Sequence, residues 1–441
     1  MSIAYLVSLA VFVPASGWLG DRFGGKRTLL TAVAVFTIAS QLCGTASSLG
    51  ELVLFRVLQG AGGGMLASVG MAMLLRAYPP EARVRVSAML TVAIGLAPTL
   101  GPVFGGLLVT DVSWRAVFSV NVPLGIAAAV FGLLFLRRDT EQRRREFDTA
   151  GFLLSAAGLG LVMFGVSVGP TIGWALAEVL GAVGTGVVLL VVLVIVELRR
   201  SAPIMDMRLL AERLFGAGTT IMTIQSVAFL ATLYTVSLYF QDWRGLSPLV
   251  AGLSIFPEAV GVIAGSQLAS RVLYRKLGPR WHLMAGVAGS SLCMALLGLI
   301  GGGTNLWLVR LVLFGVGITV GQVFVATQAV SFAMISPEAS GRASTLFNVG
   351  RRLGGAAGVA VATTAIVLVG TPAAGGGTAP IAYRTAFLVA AAINLLGLWP
   401  ARTVRDRNAA TTIPRPRPKK SPPDGPVTAV SATTERKPAQ C

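Results

Sequence analysis

Residues 17–30, "GWLGDRFGGKRTLL", place four charged side chains between two long apolar runs. A second stretch, residues 265–283 ("GSQLASRVLYRKLGPRWHL"), has a similar arrangement later in the chain, with Ser270 where the first has Asp21. Apolar runs of roughly 18 to 25 residues recur along nearly the whole sequence, and each is long enough to cross a bilayer as a helix. The sequence therefore predicts an all-α polytopic membrane protein.

The overall composition supports this class. Of the 441 residues, 54% are hydrophobic and 12% are charged, and the mean hydropathy is +0.76. A soluble domain normally carries about 25% charged residues. The net charge of +18 lies mostly in short loops and the C-terminal tail, without a basic face, so we expect no nucleic-acid partner. The three cysteines show neither metal-ligand nor redox spacing, and we expect no metal and no cofactor.

The apolar runs predict thirteen transmembrane helices. Short loops rich in Lys and Arg alternate with loops that hold few of them, and the positive-inside rule places the basic loops in the cytoplasm. We therefore expect a multi-pass protein of the cell membrane with a cytoplasmic C-terminus. The predicted helices cover residues 3–20, 28–46, 51–75, 86–109, 116–136, 149–168, 175–196, 215–240, 248–272, 281–300, 305–330, 341–369 and 383–400.

Polar positions recur in matching order in the two parts of the chain. Arg56 and Arg310 each precede a pair of glycines, and "RVSAML" (85–90) and "RASTLF" (342–347) each have a glycine sixteen residues after their Arg. Such parallel repeats are typical of transporters that bind substrate between two halves. The predicted units are 1–137, an N-terminal bundle of five spans; 138–200, two central helices; 201–400, a six-helix bundle; and 401–441, a disordered, basic, Pro-rich tail.

Several motifs resemble those of the major facilitator superfamily. Residues 17–27 ("GWLGDRFGGKR") are similar to its cytoplasmic loop signature, 52–60 ("LVLFRVLQG") to its second motif, and 95–106 ("GLAPTLGPVFGG") to the Gly-Pro antiporter motif of its drug exporters. The resemblance implies the major-facilitator fold, with two six-helix-type bundles and two central helices. Four further stretches resemble the fourteen-helix drug:proton antiporter branch of EmrB/QacA type: 113–125, 147–161, 203–210 and 239–257.

The resemblance has two departures. Gly25 stands where the loop signature usually has a basic residue, although Lys26 and Arg27 follow it. The sequence also matches the family from the second helix onward, so the N-terminal bundle is short of its first helix, which normally lines the cavity. We expect that the natural start lies upstream of Met1. The alternative is a truncated and inactive transporter.

Glu258 is the acidic residue that lies deepest in an apolar run. It follows Pro257 in "GLSIFPEAVGVIAG" (252–265), about 15 Å from the predicted start of the ninth helix. A carboxylate at that depth costs several kcal/mol unless it is paired, hydrated or protonated. We therefore expect Glu258 to face a cavity, where protons and a cationic substrate compete for it. A protonated Glu with a purely structural hydrogen bond is the alternative.

Two motifs carry further candidate residues, which the resemblance assigns. Arg56, with Gln59 on the same helix face, is expected to assist proton transfer, and an Arg that snorkels to the membrane surface is the alternative. The loop signature implies a gate at the cytoplasmic face and comprises Gly17, Asp21, Arg22, Gly24, Lys26 and Arg27. The antiporter motif implies a helix that bends and permits close approach, and it comprises Gly101, Pro102, Gly105 and Gly106.

The leading hypothesis for function is a bacterial multidrug exporter. It exports hydrophobic or cationic drugs or antibiotics by alternating access, with the proton gradient as the energy source, and its partners are the substrate, protons and the lipid bilayer. A differently coupled or uncoupled small-molecule facilitator is one alternative, and an inactive transporter is another. We expect no enzyme and no catalytic residue, because no nucleophile–base pair or phosphate-binding loop is recognisable.

Overall fold

The computed structural model describes residues 2–92, 101, 108, 112–136, 146–200, 203–301, 303–370, 380–404 and 406, and these ranges contain helices but no strand. Short helices at Ala116–Ser119 and Leu398–Thr403 accompany the longer ones. The longer helices are α1 (Ser2–Phe23), α2 (Gly25–Thr45), α3 (Leu49–Ala77), α4 (83–92), α5 (Asn121–Phe135), α6 (Thr149–Ile172), α7 (Ala177–Arg199), α8 (Arg213–Leu238), α9 (Pro248–Leu268), α10 (Tyr274–Gly298), α11 (Leu306–Ser331), α12 (Ser340–Val369) and α13 (Pro380–Leu395).

Eleven helical segments within the described ranges are long and apolar enough to cross a membrane. One of them, Leu249–Gly298, contains two predicted spans, because α9 continues through a π-helical turn at Ala269–Leu273 into α10, which is kinked at Gly278. Twelve of the predicted helices therefore have a counterpart. The fourth, 86–109, is described only over the start of its length, where it is helical. The all-helical prediction is confirmed.

Polar side chains begin several helices. The hydroxyl of Ser48 accepts a hydrogen bond from the Glu51 backbone amide (3.2 Å), and Asp148 Oδ1 accepts one from the Gly151 amide (2.9 Å). Such caps satisfy amides that have no partner within the helix. The tight turn between α1 and α2 depends instead on Gly24, whose φ of 86° is unfavourable for residues with a Cβ.

The helices of each half pack mainly on one another. In the N-terminal part α1 packs on α3, and α2 packs on α3 and α5. In the C-terminal part α8 packs on α12, α9 on α11, and α10 on α11 and α13. The central helices α6 and α7 pack together, and α6 also touches α1 and α12. Because α12 contacts α1, α3 and α6 as well as α8 and α13, it runs along the boundary between the two halves.

The contact between α9 and α11 is made by glycines. A Cβ at any of four glycines would overlap backbone atoms of the facing helix, so the two backbones touch with no side chain between them. Close backbone approach of this kind is the usual role of small residues between membrane helices. We call this contact the glycine seam; it comprises Gly261, Gly265, Gly317 and Gly321.

The predicted start of the disordered tail is wrong by a few residues. Residues 401–403 complete the short helix Leu398–Thr403, and the side chains of Ala401 and Val404 are fully buried. Asp406 accepts a hydrogen bond from the backbone amide of Arg280 (2.8 Å). Apolar burial and this bond therefore anchor the chain beyond residue 400. The rest of the predicted tail, from residue 407, lies outside the described residues.

Candidate functional site

The helix ends next to several predicted basic loops meet at one end of the molecule, which we call the basic end. Here Asp21, at the end of α1, accepts a hydrogen bond and ion pair from Arg76 Nη2 of α3 at 2.6 Å. Arg76 Nε also donates to Ser340 Oγ (3.0 Å) and to the Pro337 carbonyl (3.3 Å), where α12 begins. Arg76 thus connects Asp21 of the N-terminal part to the C-terminal part.

A close helix contact lies beside this bridge. A Cβ at Gly17 would lie 2.8 Å from Thr345 Oγ1 and 3.2 Å from the Gly341 carbonyl, so α1 and α12 approach too closely for a side chain. One turn further along α12, Ser344 Oγ donates to the Ser68 carbonyl of α3 (3.0 Å). Together with the Arg76 bridge, these contacts close the boundary between the halves at the basic end, and we call them the basic-end seal.

The other residues of the loop signature occupy different positions. Lys26 Nζ donates to the carbonyls of Leu133 (2.8 Å) and Leu136 (2.6 Å), and so caps the C-terminal end of α5 within the N-terminal part. Arg22 is partly exposed and Arg27 is exposed. The motif therefore brings Gly17 and Asp21 to the boundary, while Lys26 stabilises a neighbouring helix of the same half.

Glu258 lies in the middle of α9, which continues through Pro257 as a helix. Its exposed fraction is 0%, and its backbone carbonyl touches the glycine seam at Gly317. The expected exposure to a cavity is therefore not seen in this conformation, since the side chain has no surface in contact with solvent. Two small pockets lie near the basic end, one beside Asp21 and Arg342 and the other beside Met71 and Arg83, and Glu258 lines neither of them.

Arg56 and Gln59 are joined as their spacing suggested. Arg56 Nη1 donates to Gln59 Oε1 (3.2 Å), and Gln59 Nε2 donates to Ser40 Oγ of α2 (2.6 Å). The Arg56 guanidinium also lies over the ring of Phe118, 4.4 Å from its centre. These contacts hold the Arg56 charge among the helices of the N-terminal part.

Arg310, the counterpart of Arg56 in the second repeat, is held differently. It lies over the Trp307 ring (4.7 Å) and donates to Ser254 Oγ of α9 (3.1 Å). Of the antiporter motif, Gly101 is helical and exposed, and no described atom lies within 4 Å of a Cβ placed there. The expected close approach is thus not seen at Gly101. The other motif positions, Pro102, Gly105 and Gly106, lie outside the described residues.

Two membrane-embedded arginines were missed in the sequence analysis. Arg351 and Arg352 lie about 17 Å along α12 from its start at Ser340, which is the depth of a bilayer centre rather than a surface. Arg351 Nη2 donates to Asn348 Oδ1 (2.9 Å), and both arginines are partly exposed. The sequence alone could have identified them, because two charged residues inside the predicted span 341–369 are energetically costly in a membrane and therefore indicate a functional position.

Known proteins provide an independent view of this arrangement. The family described as Major Facilitator Superfamily matches residues 1–359. The "Multidrug resistance protein B homolog" of Mycobacterium tuberculosis (strain CDC 1551 / Oshkosh) is 32% identical over 366 residues, which cover 81% of this chain and 67% of that protein. The "Tetracenomycin C resistance and export protein" of Streptomyces glaucescens is 32% identical over 365 residues, covering 81% of this chain and 66% of that protein.

A solved structure confirms the fold. The human organic anion transporter MFSD10 (TETRAN) aligns with a TM-score of 0.65 at 17% identity, over 90% of this chain and 82% of that one. The chain spans about two thirds of the length of the two relatives in sequence, both of which bear names of drug resistance or export. These likenesses agree with the drug:proton antiporter branch suggested by the motifs. The chain belongs to the Major Facilitator Superfamily of membrane transporters.

Proposed function

We propose that this transporter exports small hydrophobic compounds by alternating access, with proton entry as the driving force. In this proposal it lies in the cell membrane, and its basic end and C-terminus face the cytoplasm. The carrying observation is the bridge from Asp21 through Arg76 to Ser340, which ties the two halves together at one end by polar bonds. Bonds of this kind can be broken and remade when halves rock, as alternating access requires. The names of the relatives support export.

Glu258 is the proposed proton site. In the conformation with a closed basic end it has no exposed surface, and an ionised carboxylate enclosed between α9 and α11 would be costly. We propose that Glu258 carries its proton in this conformation. Opening of the basic end then admits water, and Glu258 releases its proton to the cytoplasm before substrate is carried outward. The prediction of a cationic substrate rests on competition with protons at this residue.

The test uses inside-out vesicles with an acidified lumen. Two dyes with related xanthene rings are added in turn: rhodamine 6G, which is cationic, and sulforhodamine B, which is anionic. We expect a transported dye to enter the lumen while luminal pH rises, and the Glu258→Gln variant to abolish both signals. Glu178→Gln is the matched control, because Glu178 is exposed at the start of α7.

Two results of this test would contradict proton-driven export. Dye uptake that continues in Glu258→Gln, or that proceeds equally well without a pH gradient, would indicate a facilitator instead of an antiporter. Equal membrane levels of the two variants, measured by blotting, ensure that lost uptake reflects lost coupling. Failure of the unmodified chain to move either dye would contradict export of hydrophobic ions of this size.

A further inference from the structure

The two faces of α12 have different neighbours. A Cβ at Gly350 would lie 2.7 Å from Thr223 Oγ1, and one at Gly358 would touch the Val227 carbonyl, so this face packs on α8. The other face carries Thr345, which contacts α1, and Asn348, which contacts Met71 of α3. Residues seven positions apart share a helix face, so Arg352 lies on the face of Thr345 and is directed toward the N-terminal part.

The charges of Arg351 and Arg352 are not balanced by protein carboxylates in the described ranges. The three ion pairs found there involve other residues, and Arg351 bonds only to the neutral Asn348 amide. The one acidic residue that the sequence places at comparable depth is Glu258. It lies in the contact between α9 and α11, away from the boundary between the halves.

A third arginine and a phenol complete the group. The positive charges of Arg352 and Arg56 both act electrostatically on Tyr5 of α1. The Arg56 guanidinium is 5.7 Å from the Tyr5 ring centre and 4.4 Å from the Phe118 ring centre. We call Arg56, Arg351 and Arg352 the arginine layer. Arg351 and Arg352 lie at the boundary between the halves, whereas Arg56 and Phe118 lie within the N-terminal part, next to Tyr5.

We propose that the arginine layer binds the acidic group of the exported compound. Unpaired guanidinium groups within a membrane cost several kcal/mol, and pairing with an anion offsets that cost. The planar fork of Arg matches the two oxygens of a carboxylate or sulfonate, while the partly exposed Tyr5 offers apolar surface to the attached rings. The substrate class is therefore amphiphilic organic anions, in contrast to the cations that the sequence analysis predicted. This inference rests on the proposed export function.

The test is a binding measurement without any gradient. The purified full chain in phosphatidylcholine nanodiscs is titrated into sulforhodamine B or rhodamine 6G, and fluorescence anisotropy gives each Kd. We expect tighter binding of sulforhodamine B, and about ten- to hundredfold weaker binding in Arg351→Gln and Arg352→Gln, the usual effect of losing a charge-assisted hydrogen bond. Arg352→Lys restores part of the affinity, since it keeps the charge and loses the fork.

A charge-matched control separates the site from net charge. Arg275→Gln removes one positive charge from an exposed position of α10 and leaves binding unchanged. Thermal unfolding of each variant, followed by size-exclusion chromatography, verifies that weaker binding does not result from misfolding. Equal affinities for sulforhodamine B in the arginine variants and the unmodified chain would overturn the proposal, as would tighter binding of rhodamine 6G.

The acidic headgroup of a lipid offers the same chemistry as an acidic substrate. Nanodiscs that contain phosphatidylglycerol distinguish the two sources, because lipid in the site would compete with the dye and raise its Kd. We expect no such competition, and its presence would overturn the assignment to substrate. Binding of sulforhodamine B without gradient-driven transport would contradict the proposed function alone. Gradient-driven transport of rhodamine 6G without sulforhodamine B binding would contradict the arginine layer alone.

Discussion

Two stretches of α12 meet the N-terminal half in different ways. Near its start, Ser340, Ser344 and Thr345 are each hydrogen-bonded, and Ser340 and Ser344 bond across the boundary to α3. About two turns further on, Arg351 and Arg352 bring more positive charge to the same boundary than the described residues neutralise. In the first stretch, the hydrogen bonds of the protein itself are sufficient to keep the boundary closed. The second needs a partner from outside the protein, so closure and binding are separated along one helix.

Among substitutions at the basic-end seal, Gly17→Val is expected to have the largest effect on how often the seal opens. The new side chain would collide with Thr345 and Gly341, and overpacking of this kind costs about 1–3 kcal/mol, enough to open the basic-end seal about tenfold more often. The reporter is Ser344→Cys in a chain whose native cysteines are replaced by Ser. We expect its maleimide labelling from the basic end to accelerate by that factor.

The control for this experiment lies on the same helix. A Cβ at Gly20 would meet no atom within 4 Å, so Gly20→Val adds the same volume without touching α12. We expect Gly20→Val to label at the unmodified rate. Equal acceleration in both variants would show that the added volume, and not the contact at Gly17, controls the seal.

A smaller effect is expected from Arg76→Gln. The substitution removes the ion pair with Asp21 and weakens the link to Ser340, while the helix contact at Gly17 remains. Because the Arg76 side chain is 28% exposed, solvent screens part of the loss, and we expect labelling at position 344 to accelerate about fivefold. Arg85→Gln, at an exposed position of α4, is the charge-matched control. An unchanged labelling rate in Arg76→Gln would show that helix packing, and not the polar bonds of Arg76, keeps the basic-end seal closed.

The smallest effect is expected from Lys26→Gln, and it concerns stability. The variant loses two charged hydrogen bonds to the end of α5, where a cation is favourable, and we expect the free energy of unfolding to fall by about 1 kcal/mol. Denaturant unfolding in detergent measures this change. Labelling at position 344 stays at the unmodified rate, because Lys26 does not reach α12. Faster labelling would show that Lys26 contributes to the gate at the cytoplasmic face, as the loop signature implied.

The fold was largely predictable because the bilayer imposes simple requirements on a chain. The helix predicted over 305–330 is observed as Leu306–Ser331, and the one over 341–369 as Ser340–Val369. Runs of apolar residues that must span a bilayer leave little choice of length. The error at residues 401–404 has a local cause, since Ala401 and Val404 bury against α8 and α10 at the edge of a polar, Pro-rich sequence.

The site was predictable only where its contacts are short in sequence or marked by a motif. Asp21 was identified as part of a gate at the cytoplasmic face, but its link through Arg76 to Ser340 joins residues far apart in the chain. The depth of Glu258 follows from counting residues, whereas its enclosure depends on which face of α9 the glycines of α11 cover. The sequence shows Arg351 and Arg352 as charges within an apolar run. Their position at the boundary between the halves follows only from the helices that α12 contacts.

The glycine seam has a consequence for how such a protein adapts to new compounds. Each of its four glycines lies against backbone, so a mutation there displaces a whole helix instead of reshaping a pocket. Arg351 and Arg352 are partly exposed, and their replacement changes charge and shape without moving a backbone. Under drug selection, variation in substrate range is therefore expected to accumulate along α12. The proposed proton site at Glu258 would then stay unchanged while the proposed binding site for substrate varies.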